Sequence, residues 1–173
     1  MLRKNLRLTL GLGLTILLLI GAFALSGCVA PDGSVYLVQP ISASEPDAAA
    51  VAAANKQFIL DYFAALNQDK SPATVDKYVA DEVLKHHIDL FEASFPGYQL
   101  TAKEMLAEGD MVFVRTGCTG VHNGDLQGIA PTGKSIDIEI ALTYRIENGK
   151  IVDHWMLFDQ LTVLQQIGAM PTP

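Results

Sequence analysis

Cysteine is nearly absent from this chain, whose 173 residues contain only Cys28 and Cys118. Two cysteines cannot build a disulfide framework or a cysteine-rich zinc site, and no H-E-x-x-H-type spacing stands in for them. Basic residues are scarce too, with 12 Lys and Arg against 19 Asp and Glu and a net charge of −7. A nucleic-acid partner wants a basic face, and so acidic a chain argues against one. There is one tryptophan, there are four histidines, and there are no internal repeats. The length suits one ordinary domain. Polar chemistry must therefore come from a handful of side chains.

Charge is missing altogether from residues 8–24, a run rich in Leu, Ile, Gly and Ala behind the basic opening MLRKNLR. A basic segment followed by an apolar one is the pattern of a secretion signal. The run closes on ALSGC, which resembles the bacterial lipobox. That resemblance implies a lipid on Cys28, cleavage before it and acylation of the new amino group. The alternative is an uncleaved anchor, since about 20 apolar residues span a bilayer. Either reading puts the remainder outside the cytoplasm at a bacterial membrane, and several acyl chains make such anchoring stable. Residues 1–27 carry three basic residues and no acidic one, so their removal takes the net charge from −7 to −10. Cys118 is then a lone thiol, read as a small apolar side chain in a strand. Residues 28–46 mix Pro, Ser and Gly without amphipathic period and read as the lipidated cysteine and its tether; residues 47–173 read as the folded domain.

In that domain apolar residues first recur at helical spacing. Val51, Phe58, Ile59, Tyr62, Phe63 and Leu66 mark a helix from about Asp47 to Gln68. Ser71 followed by Pro72 is a helix start, and IDLFEASF near residues 88–95 reads as a further short helix. After Tyr98 the period changes to two. Glu108-Gly109-Asp110 and the ENGK stretch at 147–150 are hairpin turns between strands. Ile136, Ile138, Ile140, Leu142, Tyr144 and Ile146 share one face, KIVDHWMLF is the last strand, and DQLTVLQQIG closes as a helix ending at Gly168. Helices followed by an antiparallel meander give the α+β class.

Residues 128–135, GIAPTGKS, fit the phosphate-loop pattern letter for letter. That loop needs a helix after it, and here an alternating, β-branched strand follows, so no nucleotide site is expected. Adjacent His86 and His87 point apart on any regular element and make a poor metal pair, and no metal is expected. His122 stands where a strand gives way to a loop, a place where histidines are commonly solvated or bonded to backbone. In the last strand, alternation puts Trp155, Leu157 and Asp159 on one side and His154, Met156 and Phe158 on the other. Trp155 and Asp159 could line a pocket, where apolar surroundings raise a carboxylate's pKa toward useful proton transfer. Asp159 also stands where a helix N-cap belongs, a role worth about 1 kcal/mol.

The segments G-x-H-x-G-x-x-x-G-x-x-P-T-G-K at 120–134, R-I-E-N-G-K-I at 145–151, H-W-x-x-x-D at 154–159 and L-x-Q-x-G at 164–168 closely resemble the SnoaL-like polyketide cyclases, often called ester cyclases. The resemblance spans roughly residues 50–171. It implies the nuclear-transport-factor-2-like fold, a cone of bent antiparallel sheet and packed helices around an apolar cavity. It also implies ring closure or related acid–base chemistry on a small, largely apolar carbonyl compound, without cofactor or metal. The carried-over residues are Asp159 as the strand-end carboxylate, His122 and His87 as its helpers, and Trp155 with Leu157 as cavity wall. The fold commonly dimerises through its sheet, so a homodimer is expected. The fold also hosts plain binding, so a lipoprotein that holds a hydrophobic ligand without turning it over is the alternative.

Overall fold

Short polar side chains fix where each helix starts. The structure, a computed structural model, describes residues 28–29, 35–36 and 47–171. Asp47 accepts the Ala49 amide at 3.0 Å and opens α1 (Ala48–Gln68). Ser71 caps α2 (Pro72–Tyr78), with proline in its first turn where a missing N–H costs nothing. Asp81 accepts the amides of Val83 and Leu84 at 2.9 and 3.3 Å and opens α3 (Glu82–Ser94). This helix is longer than the short segment expected around 88–95. The reason is Asp81: its cap starts the helix nearly two turns earlier and takes His86 and His87 into it.

Two short strands, β1 (Cys28–Val29) and β2 (Val35–Tyr36), pair antiparallel as a unit of their own. Residues 1–27, read as a signal, and the side chain of Cys28 lie outside the described residues, as does most of the tether. In the main domain β3 (Gln99–Glu108), β4 (Met111–Val121), β5 (Ser135–Glu147) and β6 (Lys150–Phe158) form a meander in that spatial order. The turn before β6 places Asn148 at φ 51° and Gly149 at φ 71°. Positive φ at both central residues suits a two-residue hairpin to the strand twist. The GIAPTGKS segment runs directly into β5, and no helix follows it.

The inward row of β5, from Ile136 to Ile146, is buried throughout. Ile59, Leu66, Phe95 and Ile151 are sealed from solvent against it, each burial contributing roughly 1.5–3 kcal/mol. α1 lies across β3 and β4 and is pinned by Asn67, which donates to the Leu100 carbonyl and accepts its amide, both at 2.8 Å. α4 (Gln160–Gln166) begins at the Asp159 cap and packs on β5. The result is an α+β fold in which helices close over one face of a curled antiparallel sheet.

Two local devices position Asp81 and the side chains of β6. Val79, at the end of α2, pairs with Ile151 at the start of β6, and the Ala80 and Asp81 amides both donate to the Ile151 carbonyl at 2.8 and 3.2 Å. Asp81 is thereby tied to the strand that carries His154. The second device is a register shift between Arg145 and Ile146. Ile146 pairs with Ile151, but Arg145 pairs with Asp153 and Tyr144 with His154. The extra residue on β6 is Val152, and a one-residue slip exchanges the faces of everything beyond it.

Candidate functional site

A cavity of about 70 Å³ lies between the concave face of the sheet and the helices. Its walls are chiefly apolar: Leu66 from α1, Leu84, Ile88 and Phe91 from α3, and Met156 and Phe158 from β6 among them. The polar groups on the lining are His87, Cys118 and three tyrosines, Tyr62, Tyr98 and Tyr144. Burial pushes the Cys118 thiol up to about 12, so it stays protonated and inert near neutral pH.

His87 is the outer end of a three-residue chain. Its Nδ1 lies 3.0 Å from Nε2 of His154, and Nδ1 of His154 lies 2.6 Å from Oδ2 of Asp81. Asp81 and His154 are largely sealed, with side chains 11% and 5% exposed. Burial works against ionising Asp81, but the hydrogen bonds from His154 and the Leu84 and Val83 amides outweigh it, and its pKa lies below the ordinary value. An ionised Asp81 only accepts, so His154 Nδ1 must carry a proton. In neutral His154, Nε2 is then an acceptor and His87 Nδ1 the donor to it. That leaves the lone pair on Nε2 of His87, an atom with no hydrogen bond among the described residues and not sealed off. Desolvation, reinforced by the neighbouring His154 and His86, lowers the His87 pKa, so the free base persists at neutral pH and somewhat below.

The chain can also move charge. A proton arriving on His87 Nε2 lets His87 Nδ1 pass its own proton to His154 Nε2. The positive charge then rests on His154, against the Asp81 carboxylate. Among the described residues no three His, Cys, Asp or Glu side chains are arranged around a common metal position, and here the two imidazoles bond to each other.

The other expected site residues lie elsewhere. The expectation that Asp159, Trp155 and Leu157 face the cavity is corrected: all three are on the outer face of the sheet. Trp155 is 55% and Leu157 60% exposed. Asp159 accepts from the Thr162 hydroxyl at 2.7 Å and the Thr162 amide at 3.1 Å. Those bonds lower its pKa, the reverse of the rise that apolar burial would bring. The reason is the slip at Val152. Counting back from the ENGK turn without it would set Asp153, and with it Trp155 and Asp159, opposite inward Tyr144; with it, His154 takes that place.

His122 is fully buried and off the cavity lining. It pins the base of the 122–134 loop: its amide donates to the Lys134 carbonyl, its carbonyl accepts from Thr132 and Gly133, and its Nδ1 lies 3.1 Å from the Thr132 hydroxyl. Its ring packs on Phe95, 5.4 Å between centroids. Gly124, two residues on, meets the end of α3 so closely that a Cβ would stand 1.7 Å from the Ala93 carbonyl oxygen. These contacts give the G-x-H-x-G spacing a structural meaning.

Asp81 and His154 are the partners that sequence reading missed. Asp81 had a legible signal, an Asp ahead of an amphipathic stretch, but only as a helix cap. Its second oxygen reaches His154 across 73 residues, which no local pattern reveals.

No protein of curated function matches the sequence significantly. Among solved structures the chain is similar to AclR of Streptomyces galilaeus, with 25% identity, a TM-score of 0.62, and coverage of 70% of this chain and 85% of that one. It is also similar to TsrD of Streptomyces laurentii, at 24% identity and TM-score 0.58, covering 68% and 97%. IdmH of Streptomyces antibioticus aligns at 23% identity and TM-score 0.57, covering 66% and 98%. Residues 49–167 match the description SnoaL-like polyketide cyclase. That match takes in the whole helix-and-sheet domain, and the chain belongs to the SnoaL-like polyketide cyclase family, which points to a small-molecule cyclase or isomerase.

Proposed function

We propose that the domain is an acid–base enzyme, of cyclase or isomerase type, that acts without a cofactor on a small, largely apolar carbonyl compound. The observation that carries this is the Asp81–His154–His87 chain, which ends in a residue of the apolar cavity lining whose Nε2 has no hydrogen bond among the described residues. His87 Nε2 takes a proton from the carbon next to the carbonyl, and the C–H electron pair moves to form the enolate. The proton passes along the chain until the charge lies beside Asp81. It then returns to a different carbon in an isomerisation; in a cyclisation, the enolate carbon adds to a second carbonyl and the new alkoxide takes the proton. Neither course needs an oxidant or reductant. A positioned base of this kind contributes roughly 10²–10⁴-fold. The free volume, at about 10–15 Å³ per water-sized occupant, holds a ligand of roughly five or six heavy atoms without rearrangement.

The test is deuterium exchange at the α-carbons of cyclopentanone in D₂O, followed by NMR. Catalysed exchange that His87→Gln abolishes is the expected result. A wild-type rate equal to buffer would favour the alternative, an apolar-ligand binder without turnover, which the predominantly apolar lining also suits.

Two features of the setting belong to the same proposal. The domain is held outside the cytoplasm by a lipid on Cys28, so Cys28→Ala leaves unprocessed precursor and no acyl labelling. It also pairs with a second copy through the outer sheet face. There Leu106, Phe113, Thr143 and Trp155 stand in one row across all four strands. Arg145–Asp153 flanks the row on one side and Glu104–Arg115–Glu139 on the other. A two-fold pairing would join the apolar rows and leave both signs of charge at each rim.

A further inference from the structure

Three buried phenols share the cavity with His87, and none is accounted for. Tyr62 comes from α1, Tyr144 from β5, and Tyr98 stands just before β3; all three are buried side chains of the core. Tyr62 packs edge-on against Tyr144 at 6.0 Å between centroids, and Phe91 packs edge-on against Tyr98 at 5.1 Å. Buried phenols ordinarily find a hydrogen-bond partner. Here, among the described residues, none of the three hydroxyls makes a hydrogen bond. Nor are they sealed in: the unpartnered, fully enclosed side-chain atoms are Thr116 Oγ1, His122 Nε2 and Arg145 Nε, and no tyrosine oxygen is among them. Each hydroxyl therefore keeps some accessible surface, and each of the three residues lines the cavity. Apolar walls built from Leu, Ile, Phe and Met would have been served equally by phenylalanine at these positions.

We propose that the hydroxyls of Tyr62 and Tyr144 donate hydrogen bonds to the carbonyl oxygen of the ligand, fixing which carbon is presented to His87. This rests on the cavity being the ligand site, as proposed above, and adds a chemical requirement: the ligand carries an oxygen acceptor on an otherwise apolar, compact frame. As the α-proton leaves, negative charge grows on that oxygen, and the same donors then hold the enolate more strongly than they hold the ketone. Burial, with the neighbouring phenols adding to it, raises the Tyr62 and Tyr144 pKa values. Both groups thus remain O–H donors at neutral pH.

Two isosteric probes separate a hydrogen bond from packing: cyclopentanone, and methylenecyclopentane, in which =CH₂ replaces the carbonyl oxygen. Dissociation constants are measured by NMR titration of ¹⁵N-labelled protein, with wild type, Tyr62→Phe and Tyr144→Phe. A neutral hydrogen bond predicts that each substitution weakens cyclopentanone by roughly 2–10-fold and leaves methylenecyclopentane unchanged. Equal changes for both probes, or no change for either, would overturn the proposal. Removing a hydroxyl leaves the ring packing in place; if one variant does not fold, the other carries the same comparison. The outcomes also distinguish this assignment from the enzymatic one. A tyrosine-dependent preference for the ketone without deuterium exchange supports the donors and refutes turnover. Exchange without that preference refutes the donors alone.

Discussion

Asp81→Asn should reverse the protonation of both histidines while leaving the fold in place. In the native chain Asp81 Oδ1 accepts the amides of Val83 and Leu84, and Oδ2 accepts from His154. Asparagine caps helices as well as aspartate does, and its orientation is dictated: the carbonyl oxygen must face the two backbone donors. Its NH₂ then points at His154 Nδ1 and donates. His154 Nδ1 becomes an acceptor, so its proton moves to Nε2, and His87 Nδ1 must accept it. The proton of neutral His87 then sits on Nε2, and the free base nitrogen is gone. Because the cap survives and a neutral hydrogen bond replaces the charged one, stability falls by about 1 kcal/mol, a few degrees in Tm for a domain this size. Catalysed exchange should fall by roughly 10²–10⁴-fold, the usual contribution of a positioned base. The direct assay is ¹⁵N NMR of the imidazoles, which separates Nδ1–H from Nε2–H tautomers without any substrate. Unchanged tautomers in Asp81→Asn would refute the chain as described, and unchanged exchange would refute its role. Asp81→Ala, which removes cap and acceptor together, should cost more stability than Asp81→Asn.

The remaining expectations rest on the same placements. His87 has a lowered pKa in the folded protein, so acid favours the unfolded chain: urea unfolding should show stability falling as pH drops below the ordinary histidine value of about 6.5. Asp81, whose pKa is also lowered, adds a second loss as pH falls through the carboxylate range, and the acid limb of the exchange rate should lie below 6.5. Asp159→Asn should leave exchange unaltered and Asp159→Ala should cost about 1 kcal/mol of stability; a large rate loss in either would contradict its outward position. Trp155→Arg should shift sedimentation from dimer to monomer with the fold intact, and a monomeric wild type would dispose of the paired-sheet proposal.

Local chemistry was written plainly enough in the sequence to yield nearly all the elements. The helix starts at Asp47 and Ser71, the Gly109 and Asn148-Gly149 turns, and the inward row from Ile136 to Ile146 each depend on residues close in the chain. The family segments at 120–134 and 145–168 are of the same kind, since they encode a pinned loop, a hairpin and a cap. Even the alternation of β6 was legible, with Trp155, Leu157 and Asp159 on one face and His154, Met156 and Phe158 on the other. Which face turns inward was not. That depends on one extra residue, Val152, in the pairing with β5, and a strand's period of two makes a single slip exchange both faces completely. Sequence alone therefore determined the repertoire of side chains and the two sets into which they fall. Tertiary pairing chose between the sets, and by tying Asp81 to the start of β6 it joined a helix cap to two histidines that no local pattern connects.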